Sequence, residues 1–240
     1  MRALGFLIAA LACATAIAEE AQVAVAANFA VPARHLAEAF NAASGHKLAL
    51  SNGSTGKFYA QIRSGAPFHL LLSADAETPQ RLEAEKLAVE GTRFTYAVGR
   101  LVFWSPKSDS AAEAETRLRN QDFKRLAIAN PKLAPYGAAA KETLEKLGLW
   151  ATVQPKLVQG ENIAQTFQFV ASGNADAGLV ALSQIDRRGP HWPVPQQFHA
   201  PLRQDAVLLT RGAGNAAASG FLDYLRSAPA RERIRSYGYE

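Results

Sequence analysis

Short apolar runs of strand length alternate with amphipathic segments of helical period along almost the whole chain, and this alternation narrows the possible folds more than any other feature. Gln22 to Ala27 reads as a first strand. Phe29, Ala33, Leu36, Ala37 and Phe40 follow at helical spacing, with Pro32 suited to a first turn and Gly45 to a stop. Lys47 to Leu50, Phe68 to Ser73, Arg125 to Ala129, Lys156 to Gln159, Ala177 to Ala181 and Asp205 to Thr210 read as further strands. Helices are expected over Lys57 to Arg63, Glu77 to Leu87, Gly137 to Leu147, Asn162 to Ala171, Ala216 to Arg226 and Arg231 to Tyr237. Arg93 to Ser105 is strand-like, broken by Gly99-Arg100, and long enough to cross between two lobes. Arg187 to Pro201, rich in proline, reads as a connector. Alternation of this kind predicts an α/β fold of mostly parallel sheets flanked by helices, with ligands held outside the carboxyl ends of the strands.

The N-terminus restricts where such a chain works. Met1-Arg2 is a short positive start, Ala3 to Ala14 is almost wholly apolar, and Ala16-Ile17-Ala18 is a small-x-small cleavage site followed by Glu19-Glu20. This pattern predicts a secretory signal peptide over residues 1–18. The apolar run is short for a membrane span, and Ala10-Leu11-Ala12 fits a lipidation site at Cys13 poorly. Cys13 is the single cysteine, so the mature chain has neither disulfide nor thiolate metal site and relies on its core. With 48% hydrophobic residues that core is available. The net charge of +5 is spread over scattered residues and short clusters such as Arg187-Arg188. No basic helix, zinc spacing or aromatic RNA-binding motif accompanies it, so nucleic acid is not an expected partner.

Four strand-to-helix junctions carry the chemistry: Ala26-Ala27-Asn28-Phe29, Asn52-Gly53-Ser54-Thr55-Gly56, Ala134-Pro135-Tyr136-Gly137 and Gly160-Glu161-Asn162-Ile163. Each places small, hydroxyl or amide residues just before a helix. A helix start has unpaired N–H groups and a partial positive charge, so several of them converging make an anion site without Lys or Arg. Taken singly, Asn28 and Thr55 read as N-caps, Gly137 as a tight turn and Tyr136 as a packed aromatic. Gly53-Ser54-Thr55-Gly56-Lys57 is not a phosphate loop, because the pattern needs Gly at Ser51 and Ser or Thr at Phe58. The five histidines show no metal-pair spacing, and there is no G-x-S-x-G elbow. Asp75 reads as a cap for the following helix. An enzyme would need an acid–base pair, and Glu161 and Asp75 have no evident partner.

The ordered set of junctions resembles the periplasmic molybdate-binding proteins of ABC transporters. Besides the four junctions, it includes Tyr59-Ala60-Gln61-Ile62, Gly65-Ala66-Pro67, Ser73-Ala74-Asp75, Asn130-Pro131 and Leu147-Gly148, over essentially the whole mature length. The resemblance implies a two-lobed type II binding-protein fold with a hinge, lobe I being residues 19–98 and 202–240 and lobe II residues 99–201. It implies ligand contacts at Ala27, Asn28, Thr55, Tyr136 and Ile163, with no catalytic residue, no cofactor and no direct metal coordination. Many members carry Ser in place of Asn28, Ala in place of Tyr136 and a ligand-binding Tyr in place of Ala181. In the subset that this chain resembles, the Tyr136 hydroxyl stands in for that tyrosine. The expected function is capture of molybdate, with tungstate bound similarly, by a periplasmic monomer that delivers it to a membrane permease. The alternatives are another tetrahedral oxyanion such as sulfate, a periplasmic enzyme on the same fold, or a sensor domain.

Overall fold

The computed structural model describes residues 18–185 and 189–240. Nearly all of the expected signal peptide, with Cys13, and the Arg187-Arg188 cluster lie outside these residues. Strand β1 (Glu20–Ala26) passes through a 3-10 turn (Ala27–Phe29) into α1 (Ala30–Ser44), and β2 (Lys47–Gly53) passes into α2 (Thr55–Arg63). Then come β3 (Leu70–Leu72), α3 (Glu77–Ala84), β4 (Phe94–Gly99), β5 (Leu101–Trp104) and α4 (Ala111–Asn120). After them run β6 (Leu126–Ala129), α5 (Pro135–Lys146), α6 (Trp150–Val153), β7 (Leu157–Gly160), α7 (Ile163–Ala171) and β8 (Ala177–Ala181). The chain closes with β9 (His191–Pro193), β10 (Leu202–Leu208), α8 (Ala216–Leu225) and α9 (Ala228–Ser236). Among the described residues no helix is long and apolar enough to cross a membrane.

The strands form two five-stranded sheets, ordered β2-β1-β3-β10-β4 and β7-β6-β8-β5-β9. In the first, β1 pairs in parallel with β2 and β3, while β10 is antiparallel to both β3 and β4. In the second, β6 pairs in parallel with β7 and β8, while β5 is antiparallel to both β8 and β9. Four strands of each sheet therefore point one way, as expected, and one runs against them. The exceptions are the two strands that arrive from the other sheet. A strand that crosses over emerges from the carboxyl end of one sheet, enters the next at its carboxyl edge, and must run against it. β5 does this directly after β4, with only Arg100 between them.

Both faces of each sheet are covered, so the strands read as continuous apolar runs. Val23 and Val25 pack with Phe29, Leu36 and Phe221 on one face of the first sheet. Ala24 and Leu71 pack with Phe58 and Leu82 on the other, the alternation a pleated strand imposes. In the second sheet Leu126 and Ile128 share a core with Leu101 and Phe103, while Val170 covers Ala127 from the opposite side. Helix α1 buries Ala33, Leu36, Ala37 and Phe40, the face read from its spacing. It ends at Gly45, whose φ of 75° makes a left-handed cap that other side chains resist.

Two expectations need correction. Helix α4 is absent from the periodicity reading, although Ser110 caps it by accepting from the Glu113 amide at 3.1 Å. The Ser-x-x-Glu spacing that marks this cap is its sequence signal. The segment read as a connector contains β9, which pairs with β5 and buries Trp192. Three residues are too short a run for alternation to register.

Candidate functional site

Two pairs of strands deliver their helices to one place. Ala26 lies opposite Gly53 in the β1–β2 pairing, and Ala129 lies opposite Gly160 in β6–β7. Each pair of strands therefore ends level, and the chain leaves it at two neighbouring helix starts. Residues from all four junctions line a single small cavity between the sheets. Ala27, Asn28, Thr55, Tyr136 and Ile163 all belong to that lining, and no lining residue is charged. The centre of a water-sized sphere can range over only about 10 Å³ there, so the site suits a compact solute and not a nucleotide. The two halves meet around it. The Gly56 amide donates to the Leu133 carbonyl at 2.9 Å, and Ser183 Oγ donates to the Asn28 carbonyl at 3.0 Å.

Thr55 is almost fully buried. Its Oγ1 accepts from the Ala74 amide at 3.0 Å, which leaves the hydroxyl proton free to donate. Thr55 therefore does not cap its own helix. The residue at the cap position is Ser54, whose side chain makes no cap bond. Ser54 Oγ is buried, lines the cavity and has no partner among the described residues. Sequence reasoning names Thr55 and passes over Ser54, because neighbouring hydroxyls in one loop carry no signal of which one faces inward. On the opposite side, Asn162 Oδ1 takes the Gln165 amide at 3.0 Å. That bond satisfies the third amide of α7 and leaves the first, at Ile163, without an intrahelical partner.

Tyr136 sits in the first turn of α5, which starts two residues before the expected Gly137. Its hydroxyl accepts from Gln204 Nε2 at 3.2 Å. Burial, with Tyr239 close by, holds that hydroxyl well above the ordinary tyrosine range, and the Gln204 bond offsets this only in part. It therefore keeps its proton throughout the neutral range. Gly99 makes room for it, since a Cβ there would stand 2.0 Å from Tyr136 Oη. Gly137 closes the first turn of α5, its amide donating to the Ala134 carbonyl at 2.8 Å, and it also sets a close approach. A Cβ there would meet the Ala129 carbonyl oxygen at 2.3 Å, so it lets α5 approach β6.

Asn28 departs from expectation in one respect. Both hydrogens of its amide are engaged within the protein, to Gln204 Oε1 at 2.8 Å and to Tyr239 Oη at 3.0 Å. With both amide hydrogens taken, the donor it has left is the backbone N–H at the helix start. Ala181 is fully buried at the end of β8 and does not line the cavity. Asp75 accepts from the Thr78 amide at 2.9 Å and so caps α3 as expected. Glu161 pairs with Lys57 at 2.6 Å. Neither carboxylate lines the cavity. Gln204 and Tyr239 went unnoticed in the sequence. The first precedes the expected start of β10, and the second follows the last helix.

Two α/β lobes joined by crossing strands, with helix starts converging between them, are the architecture of the type II periplasmic binding proteins. Within that architecture the chain belongs to a family described as bacterial extracellular solute-binding proteins, which it matches over residues 21–240. It is 52% identical over 234 residues to the molybdate-binding protein ModA of Azotobacter vinelandii, covering 95% of this chain and 92% of that protein. It is 47% identical over 226 residues to the molybdate-binding protein ModA of Rhodobacter capsulatus, covering 93% and 89%. Among solved structures, the periplasmic molybdate-binding protein of Azotobacter vinelandii superposes with a TM-score of 0.88 at 36% identity, covering 92% of this chain and 98% of that one. The resemblance read at the junctions thus extends over the length of the chain, and these relatives are binding proteins, not enzymes.

Proposed function

We propose that the chain is a periplasmic binding protein that captures molybdate and delivers it to the membrane permease of an ABC transporter. The observation that carries this reading is the cavity itself: four helix starts and the hydroxyls of Ser54, Thr55 and Tyr136 converge on a small space with no charged lining. Ala27, Asn28 and Ile163 are its backbone donors, and Thr55 and Tyr136 its hydroxyl donors. Burying a dianion is costly unless the site solvates it. Hydrogen bonds to a charged group contribute about 1.5–3 kcal/mol each, so several offset desolvation and leave the roughly 8 kcal/mol of a micromolar site.

Neutral donors also select. Fully deprotonated molybdate offers only acceptors, whereas a protonated phosphate brings an O–H that needs an acceptor. Sulfate is smaller and leaves donors unpaired, at about 1–3 kcal/mol each. Tungstate, close to molybdate in size and charge, binds alike. Residues 19–98 with 202–240 and residues 99–201 move as two lobes that close over the anion. The mature chain is a monomer, exported by cleavage after Ala18.

Calorimetric titration with molybdate, tungstate, sulfate and phosphate tests the assignment. Sulfate binding as tightly as molybdate would overturn it. Identical scattering profiles with and without molybdate would overturn the closure.

A further inference from the structure

Gln204 lies beside the cavity without lining it and is fully buried. It stands on β10 where the register against β4 shifts between Gln204 and Asp205. Such an irregularity re-aims the side chain next to it. Asp205 pins this one: its carboxylate takes Arg93 Nη1 and Thr95 Oγ1, each at 2.7 Å. Its carbonyl accepts from the Ser73 amide at 3.0 Å.

The polarity of the Gln204 amide is fixed from a distance. The Asn28 backbone carbonyl can only accept; Ser183 Oγ lies 3.0 Å and Tyr239 Oη 2.8 Å from it, and Tyr239 Oη lies 2.9 Å from Ser183 Oγ, so this pair takes up the Tyr239 proton. The Tyr239 oxygen in turn accepts from Asn28 Nδ2 at 3.0 Å, and the same nitrogen donates to Gln204 Oε1 at 2.8 Å. The Tyr96 hydroxyl lies 3.1 Å from that oxygen and 2.9 Å from the Ser73 carbonyl, which share its one proton. Gln204 must then turn its Nε2 toward Tyr136, donating at 3.2 Å. A hydroxyl that accepts from an amide keeps its own proton for another acceptor, and no described residue takes the Tyr136 proton. The direction set at the Asn28 carbonyl and Ser183 is passed through Tyr239, Asn28 and Gln204 to a proton at the cavity.

We propose that Gln204 is a positioning residue for anion capture, which aims the Tyr136 proton into the cavity without touching the anion. The assignment rests on the oxyanion reading above. With the amide reversed, Gln204 Oε1 would consume the Tyr136 proton and leave oxygen lone pairs facing an anion. A neutral amide sets the donor without adding a cation that would attract any anion.

The test is a calorimetric double-mutant cycle with sodium molybdate. Gln204→Met weakens molybdate about tenfold or more in the otherwise unchanged protein, the loss of one charge-assisted bond. In a Tyr136→Phe background, where no hydroxyl remains to be aimed, the same change costs about twofold or less. Equal losses in both backgrounds, or no loss in the first, would overturn the proposal. If Gln204→Met lacks a cooperative unfolding transition, Gln204→Glu takes its place. It keeps an acceptor toward Asn28 and Tyr96 and reverses the contact with Tyr136, and because its charge repels the anion in both backgrounds only the difference between them is read. Its loss must again be larger with Tyr136 present, and equal losses overturn the assignment. An unmodified protein that binds no molybdate sinks the oxyanion reading and this assignment together. Once binding is seen, the ratio between backgrounds judges Gln204 alone.

Discussion

Lys57 Nζ lies 2.6 Å from Glu161 Oε2 and so ties the start of α2, after the first sheet, to the loop that leads into α7 after the second. The two residues flank Thr55 and Ile163, so the pair spans the site. Both side chains are largely exposed, and an exposed pair contributes only about 0.2–1 kcal/mol and is screened by salt. Under the closure proposed above, its effect belongs in the lifetime of the closed form. Replacing both partners together, Lys57→Met with Glu161→Gln, leaves net charge unchanged. Stopped-flow displacement should show molybdate leaving about twofold to fivefold faster, with a weaker dependence on ionic strength. An unchanged release rate would show that the pair does not hold the lobes.

Tyr136→Phe removes one hydroxyl and little volume. Molybdate affinity should fall by about 1–3 kcal/mol, measured by calorimetry. The variant also leaves Gln204 Nε2 without its acceptor, so a lowered unfolding temperature should accompany the loss. Unchanged affinity would remove Tyr136 from the site.

Gly99→Ala tests the space that Gly99 leaves. Its new methyl would stand 2.0 Å from Tyr136 Oη and 2.5 Å from Gln204 Nε2. Both groups must shift. Overpacking of this kind costs about 1–3 kcal/mol of stability, visible in thermal unfolding. The displaced hydroxyl should also weaken molybdate about tenfold or more. A variant of normal affinity would separate Tyr136 positioning from the crossing strand.

The pH dependence of binding follows from which way Tyr136 is shifted. An ordinary tyrosine loses its proton near about pH 10, and burial moves Tyr136 higher still. The donor form is the protonated one, so it persists throughout the neutral and mildly alkaline range. Molybdate affinity should be flat between about pH 6 and about pH 9. A decline across that window would mean that a group of ordinary pKa holds the anion.

The parts of this molecule that were legible in the sequence are those with local signals. Alternation gave every strand of the two sheets except β9, and the break at Gly99-Arg100 marked the crossing strand, because both are properties of neighbouring residues. The convergence of Asn28, Thr55, Tyr136 and Ile163 was legible only through the ordered resemblance, since no one helix start points to another. What stayed hidden depends on partners far along the chain. Gln204 meets Asn28 and Tyr136 across long loops, and its strand begins before the apolar run that announced it. The engagement of the Asn28 amide is hidden because nothing nearby in sequence reveals Tyr239. Ser54 and Thr55 differ only through the Ala74 amide, a partner distant in sequence that occupies Thr55 and leaves Ser54 Oγ free among the described residues.

The level endings of β1 with β2, and of β6 with β7, have a consequence for how selectivity can be distributed. Each sheet brings two helix starts to the same height, so each carries half of the cradle on a rigid support of its own. Under the closure proposed above, an anion can rest on one half before the other arrives, and it meets its full complement of donors only when the halves touch. Recognition is thereby divided into a permissive first contact and a stringent second one. A solute of the wrong size is turned away at the second step, after it has entered and before the lobes commit.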